Sequence, residues 1–294
     1  MITGPSQGGI GAQTVIELAH ASPSTIILLG RSLSRIQPTI DTITSISPSI
    51  RTAFIPVDLS SLSSVRSAAQ MILEDTSIEK IDVLINNAAI MACPYKKSED
   101  GLELQLATNH LSHFLLSNLL LPKIQAAGQG ARIICVSSWA HFMSPVLFSD
   151  PGFSSGKSYS PWIAYGQAKT AIILFAVELN RRLAGQGIKA FALHPGSIKS
   201  NLQQYMSTDV VKEAQEIWRG LGKEDPVLKS VEQGCATTLR AALDPALEKE
   251  KGVFLQDCQL SEEETVVAAF AVDEGNARRC WEMSEEMVGE KFEV

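Results

Sequence analysis

Six short runs rich in branched apolar residues, Thr25-Gly30, Arg51-Val57, Ile81-Asn86, Arg132-Ser137, Ile188-His194 and Gly252-Gln256, alternate with stretches of helical periodicity. That alternation restricts the chain to a parallel sheet wrapped by crossover helices. The runs are almost continuously apolar rather than alternating, as strands buried on both faces must be. Between them, Ile36, Ile40 and Ile43 mark one helical face, and Gly101-Leu121 and Trp162-Leu183 are long enough for crossover helices. A doubly wound α/β fold around one core is expected, with all 294 residues in one domain. The Ser-, Pro- and Gly-rich stretch 142–161 and the stretch 201–232 read as lids, and Gly275-Gly289 reads as an amphipathic helix offering Trp281, Met283, Met287 and Val288 to the body.

Charge and cysteine content narrow the function. A net charge of -7 without a Lys/Arg run leaves no surface suited to nucleic acid or anionic lipid. The five cysteines are scattered and lack metal-ligand spacing, and no histidine has a partner at such spacing, so no metal is expected. Reduced thiols, the lack of a secretory pattern, and an apolar stretch (Phe114-Leu121) far short of the ~20 residues of a membrane helix give a cytoplasmic expectation without a membrane span.

The opening Thr3-Gly4-Pro5-Ser6-Gln7-Gly8-Gly9-Ile10-Gly11 runs into the helical pattern that starts at Ala12. Glycines there let a backbone approach a pyrophosphate, and the helix start supplies free N–H groups and partial positive charge. After the next strand, where a carboxylate would hold a ribose 2'-hydroxyl, stand Arg31, Ser32 and Arg35. Guanidinium matches a 2'-phosphate, so NADP(H) is favoured over NAD(H).

Tyr165 and Lys169 lie four apart in a helical pattern, on one face. A nearby ammonium stabilises phenolate, which would bring the tyrosine toward a working acid/base range. Upstream, the run Arg132-Ser137 leads into Ser138, and Asp82-Ala89 ends another strand at Asn86-Asn87-Ala88-Ala89. Strand ends of this kind border the ligand crevice of open α/β sheets.

The glycine turn, Asn86-Asn87-Ala88, Asn109, Ser138, Tyr165/Lys169 and Pro195-Gly196 occur in one order. In that order the whole chain resembles the short-chain dehydrogenase/reductase family, and more narrowly its retinol-dehydrogenase-like, WW-domain-oxidoreductase-like branch. The resemblance implies a Rossmann-type sheet and hydride transfer between NADP(H) and a carbonyl or alcohol. It implies that Tyr165 is the general acid/base, that Lys169 lowers its pKa and holds the nicotinamide ribose, that Ser138 bonds the reacting oxygen, and that Asn109 holds a relay water. It also implies cofactor contacts from Gly4, Ser6, Gly9, Ile10, Gly11, Leu59, Ala88, Pro195, Gly196 and Ile198, with Asp58 near the adenine, Asn87 helping to hold the cofactor and Ser200 on the carboxamide. A homodimer through the helices that carry Asn109 and Tyr165 is implied as well.

The chain departs from the family pattern in three places. The glycine turn is one residue longer, which leaves Gly8 ambiguous, and Ala89 replaces a glycine. Only Met1 and Ile2 precede Thr3, about 7 Å of chain where a typical strand runs ~17–20 Å, so a truncated first strand with unpaired neighbours is expected. Met91, Phe142, Met143, Val146, Leu147, Phe148, Tyr205, Met206 and Trp218 are the candidates for an apolar pocket, which points to a lipophilic carbonyl or alcohol. A non-catalytic NADP-binding sensor or scaffold, or an epimerase or cyclase using the same residues, are the competing readings.

Overall fold

The computed structural model describes residues 1–223 and 227–294. Its sheet contains β1 (Ile2–Thr3), β2 (Thr25–Gly30), β3 (Arg51–Pro56), β4 (Val83–Asn86), β5 (Arg132–Val136) and β6 (Lys189–His194). Further along the chain come β7 (Ser197–Ile198), β8 (Leu228–Lys229), β9 (Phe254–Gln256) and β10 (Gln259–Leu260). The main sheet runs β3-β2-β1-β4-β5-β6-β9-β10, parallel except for the antiparallel edge strand β10, while β7 and β8 form a separate small ladder. Strand order reverses beside β1, and the crevice at this switch point is where open α/β sheets take ligands.

Alternation along each strand explains the buried-on-both-faces pattern. Ile26, Leu28, Ile134 and Val136 enter one core with Val15, Ile36 and Ile43, whereas Ile27, Leu29, Ile133 and Cys135 enter the other. Each large aliphatic side chain so buried contributes about 1.5–3 kcal/mol. The first core is covered by helices Ile10–His20, Leu33–Ile46 and Val231–Leu243, and the second by Leu62–Glu74, Ser112–Leu119 and Pro161–Arg182.

The first strand is short, as its sequence required. Ile2 pairs with Leu28 and Ile85, and Thr3 pairs with Leu29. Pairing continues just beyond the strand, since Gly4 N–H donates to Leu29 O at 2.8 Å and Ile85 N–H to Met1 O at 2.9 Å. Elsewhere β2 relies on β3, which it matches along all six residues, and β4 relies on β5.

The helix Glu274–Val288 ends on Gly289 in the left-handed conformation (φ 72°). Its Trp281 is 2% exposed and meets Phe114 edge-on at 4.9 Å, with Arg182 4.1 Å above its ring. Val288 is buried, and Met283 and Met287 pack on the same core. This helix therefore covers part of the outer face of the two helices through which a homodimer was expected. Of the two lid stretches, 142–161 contains the turns Trp139–Met143, which begins before it, and Phe153–Gly156. The stretch 201–232 carries the helix Thr208–Gly220 and β8, and its residues 224–226 lie outside the described residues. Among the described residues no helix is long and apolar enough to cross a membrane.

Candidate active site

The glycine turn leaves β1 and docks on both neighbouring loops. Thr3 Oγ1 accepts from the N–H groups of Asn87 and Ala88, both at 3.0 Å, and Asn87 Nδ2 donates to Thr3 O at 2.9 Å. On the other side Gln7 N–H donates to Arg35 O at 3.1 Å. Gly4 and Gly8 have φ +69° and +78°, which glycine adopts without strain, so the turn depends on glycine at both positions. A Cβ on Gly11 would lie 2.4 Å from Asn87 Nδ2 and 3.0 Å from Gly4 O, a close approach that keeps this cradle open.

The residues present fit a dinucleotide. Gly9 caps the helix Ile10–His20 without a side-chain hydrogen bond, which leaves the helix start to an anionic ligand, with Ser6 and Ile10 on either side of that cap. Arg31 and Arg35 are exposed at the end of β2, and neither has an ion-pair partner among the described residues. Ser32 Oγ shares a hydrogen bond with Ser34. Asp58 Oδ1 accepts from both the N–H and hydroxyl of Ser60, while Leu59 is buried with its carbonyl bonded by Ser112. Past β6, Pro195 is buried, Gly196 has φ +105° beneath the Lys229 side chain, Ile198 is buried in β7, and Ser200 caps the turn Asn201–Gln203. Asn201 Nδ2 donates to Gln7 O at 3.1 Å and so joins this segment to the glycine turn.

The four proposed catalytic residues come from three elements. Ser138 follows β5 and caps the next turn, its Oγ accepting from Ala140 N–H at 3.2 Å. Tyr165 and Lys169 sit on the helix Pro161–Arg182, 3% and 2% exposed. The Ser138 hydroxyl neighbours the Tyr165 phenol closely enough to favour its phenolate. Asn109 lies in a π-helical turn, Ala107–Leu111, where the expected single helix of 101–121 is interrupted. Its carboxamide is fixed by the Ile90 backbone in both directions at 2.9 Å. Such turns re-aim a carbonyl at functional sites.

Lys169 Nζ donates to Val136 O at 2.8 Å and lies 5.6 Å from the centroid of the Tyr165 ring. Burial pulls this ammonium down to about 7. Burial also pushes the Tyr165 phenol above its ordinary range, and the Ser138 hydroxyl only partly opposes that. The expectation of an acidic phenol beside a full positive charge is therefore not met here. Desolvation is the dominant cause, because the phenol is sealed from water.

The seal is the second lid. Met206, Val210, Ala214 and Ile217 pack with Met91, Met143 and Trp162 over Tyr165. Trp162 Nε1 donates to Val210 O at 2.7 Å, and Ser160 Oγ donates to Glu213. Of the nine pocket candidates, Met91, Met143 and Met206 meet here, and Trp218 stacks beside them on Trp139. Val146 and Phe148 belong to the main core, Phe142 lies under Lys223, and Tyr205 is exposed.

Two buried histidines bond to the backbone of candidate site residues. His141 Nδ1 bonds Ser138 O at 2.7 Å, and its Nε2 accepts from Ala268 N–H at 3.1 Å. His113 bonds Asn109 O at 3.1 Å. Their spacing, three and four residues beyond Ser138 and Asn109, was visible in the sequence. Their distant partners were not. Among the described residues no cluster of His, Cys, Asp or Glu is placed to hold a metal.

Comparison with known proteins agrees with this geometry: the model of the short chain dehydrogenase family matches residues 1–210. The chain belongs to the short-chain dehydrogenase/reductase family. It is 36% identical to the short-chain dehydrogenase/reductase prx1 of Penicillium roqueforti, over 98% of this chain and 84% of that protein. It is also 34% identical to human retinol dehydrogenase 12, over 100% of this chain and 87% of that protein. A solved structure from Mycobacterium paratuberculosis superposes with a TM-score of 0.73 at 32% identity, covering 100% of this chain and 94% of the other. At fold level, the NADPH-bound carbonyl reductase from chicken fatty liver gives a TM-score of 0.61 at 22% identity, with 88% and 97% covered. The protein is thus an oxidoreductase of the retinol-dehydrogenase-like kind.

Proposed function

We propose that residues 1–294 form one catalytic unit that uses NADP(H), in preference to NAD(H), to reduce the carbonyl of an apolar small molecule or to oxidise the matching alcohol. The reading is carried by one observation: Tyr165, with Ser138 beside its hydroxyl and Lys169 one turn on, lies beneath an apolar lid. NADPH, when bound, supplies the hydride. The start of the helix Ile10–His20 would take the pyrophosphate, and Arg31, Ser32 and Arg35 the 2'-phosphate. Asp58 would sit near the adenine and Ser200 would contact the carboxamide, with Asn87 helping to hold the cofactor and Leu59, Ala88, Pro195, Gly196 and Ile198 as further contacts.

The Tyr165 phenol would give its proton to the carbonyl oxygen in reduction and take it back in the reverse reaction, and burial, which holds its pKa up, disfavours a free phenolate in the closed site. The Ser138 hydroxyl would bond that oxygen. As that proton leaves, the Lys169 ammonium one turn on would stabilise the phenolate left behind until a proton from the relay replaces the one lost. Asn109 holds the end of the relay. The methionine-rich lid excludes water and suits a lipophilic substrate of variable shape.

A cytoplasmic, membrane-free setting belongs to the same reading, in keeping with five free cysteines. A homodimer through the helices Ser112–Leu119 and Pro161–Arg182 would form around the helix Glu274–Val288, which covers part of their outer face. Light scattering at micromolar concentration checks this. The reaction is tested with NADPH and a panel of apolar aldehydes and ketones against Tyr165→Phe. Loss of turnover by about 10²–10⁴ with NADPH affinity retained is the expected result. NADPH binding without turnover in either protein would instead support the sensor reading.

A further inference from the structure

The hydroxyl of Thr3 has two lone pairs, and both are taken, by the N–H groups of Asn87 and Ala88 at 3.0 Å each. Its third contact, His113 Nε2 at 2.9 Å, must therefore receive the hydroxyl proton. An imidazole that accepts at Nε2 carries its own hydrogen on Nδ1, and Nδ1 faces Asn109 O at 3.1 Å. Hydrogen counting thus fixes one tautomer and one direction: Asn87 and Ala88 donate to Thr3, Thr3 to His113, and His113 to Asn109. The ring is 1% exposed, so no solvent competes for either nitrogen.

We propose that His113 is a positioning residue that ties the seat of the glycine turn to the Asn109 carbonyl, so that cofactor loop and proton-relay residue keep one geometry. The idea rests on the oxidoreductase reading above. Its force comes from where the two ends lie. Thr3 begins the glycine turn and also braces the Asn87–Ala88 loop, while Asn109 sits in a π-helical turn whose backbone is not held by the regular ladder. His113 follows on the next helix, four residues on, and so bridges an irregular turn to a strand 110 residues away in sequence. Burial disfavours imidazolium, and the nearby Lys169 charge adds to that, which keeps the ring in its neutral, bridging form.

Asn and Gln each preserve half of the bridge, because an asparagine amide occupies the place of Nδ1 and a glutamine amide that of Nε2. Three variants, His113→Asn, His113→Gln and His113→Leu, are compared with the parent for NADPH affinity by fluorescence titration and for kcat with NADPH and decanal. His113→Asn should keep kcat within about threefold while NADPH binding weakens by roughly five- to tenfold, and His113→Gln should show the reverse split. His113→Leu should lose both. Equal losses of affinity and kcat in the Asn and Gln variants, tracking their melting temperatures, would overturn the proposal. A second measurement needs no turnover: ¹⁵N spectra of histidine-labelled protein, with the His113→Asn spectrum as assignment, should show a protonated Nδ1 and a bare Nε2. The opposite tautomer would also overturn it. Should the parent bind NADPH yet reduce no carbonyl, the oxidoreductase reading falls, whereas the tautomer and the affinity split between Asn and Gln variants still decide the role of His113.

Discussion

Trp218, on the helix Thr208–Gly220, stacks on Trp139, the residue that follows Ser138, with ring centroids 5.5 Å apart and planes 27° from parallel. Trp139 in turn stacks on His194 at 5.2 Å and donates its indole N–H to Gln256. The lid is thus clipped to the end of β6 through the residue that follows Ser138. Trp218→Ala should loosen the lid and raise KM for an apolar carbonyl by about two- to tenfold, the worth of one aromatic pair, with kcat little changed. Steady-state rates over a range of decanal concentrations check this, and an unchanged KM would mean that the stack does not hold the lid.

The sheet could be read from the sequence because both-face burial leaves a strong mark: β2, β3 and β5 lie within a residue or two of the runs that announced them. Spacing singled out Tyr165 and Lys169 as candidates, the family resemblance added Ser138 and Asn109, and the structure places Ser138, Tyr165 and Lys169 near one another. The π-helical turn at Ala107–Leu111 was not legible, since one extra residue per turn leaves the apolar faces of 101–121 almost unchanged. The depressed Lys169 and the elevated Tyr165 were missed for a different reason. Spacing puts two groups on one helix face, but only tertiary packing says how much water reaches them, and the lid over Tyr165 comes from residues more than forty positions downstream of it.

The two exposed guanidiniums at the end of β2 give a specificity prediction. Arg31 and Arg35 flank the point where Gln7 N–H meets Arg35 O, so a 2'-phosphate beside the glycine turn would lie within their reach. Replacing both with alanine should weaken NADPH by roughly 10- to 100-fold, as expected from losing charge-assisted bonds, and leave NADH nearly unaffected. Parallel titrations with the two cofactors read this out. Equal weakening of both would assign the arginines a structural part instead.

Gly11→Ala should damage the cofactor seat more than the fold. The added methyl would lie 2.4 Å from Asn87 Nδ2, which donates to Thr3 O, so the Asn87 loop must shift away from the glycine turn. A loss of about 1–3 kcal/mol in stability is expected from the overpacking, with NADPH affinity down by at least about tenfold. Denaturant unfolding and cofactor titration measure the two effects separately. Retained affinity in a destabilised protein would show that the loop relaxes without disturbing the binding site.

Four buried histidines set the behaviour in mild acid. Burial lowers His113 and His141 to about 4, and His110 and His194 to about 3. In the unfolded chain each titrates near its ordinary value of about 6.5. Between those values the unfolded state binds protons that the native state refuses, so the histidines' contribution to stability is full above about pH 7 and is lost as the pH drops toward 4, while Lys169, lowered to about 7, adds a loss of its own as the pH falls toward 7 from above. Each histidine adds a slope approaching about 1.4 kcal/mol per pH unit, and four together about 5. Carboxylates held low by hydrogen bonds, such as Asp75 and Asp150, are lost only further down and do not contribute between pH 7 and 5. Urea midpoints at pH 7.5, 6.5 and 5.5 should therefore fall steeply, and His141→Gln, which keeps an acceptor for Ala268 N–H without a titrating ring, should remove about a quarter of the slope. A flat profile across that range would mean that the imidazoles take up protons in place, which their neutral hydrogen-bonding roles toward Asn109 and Ser138 do not allow.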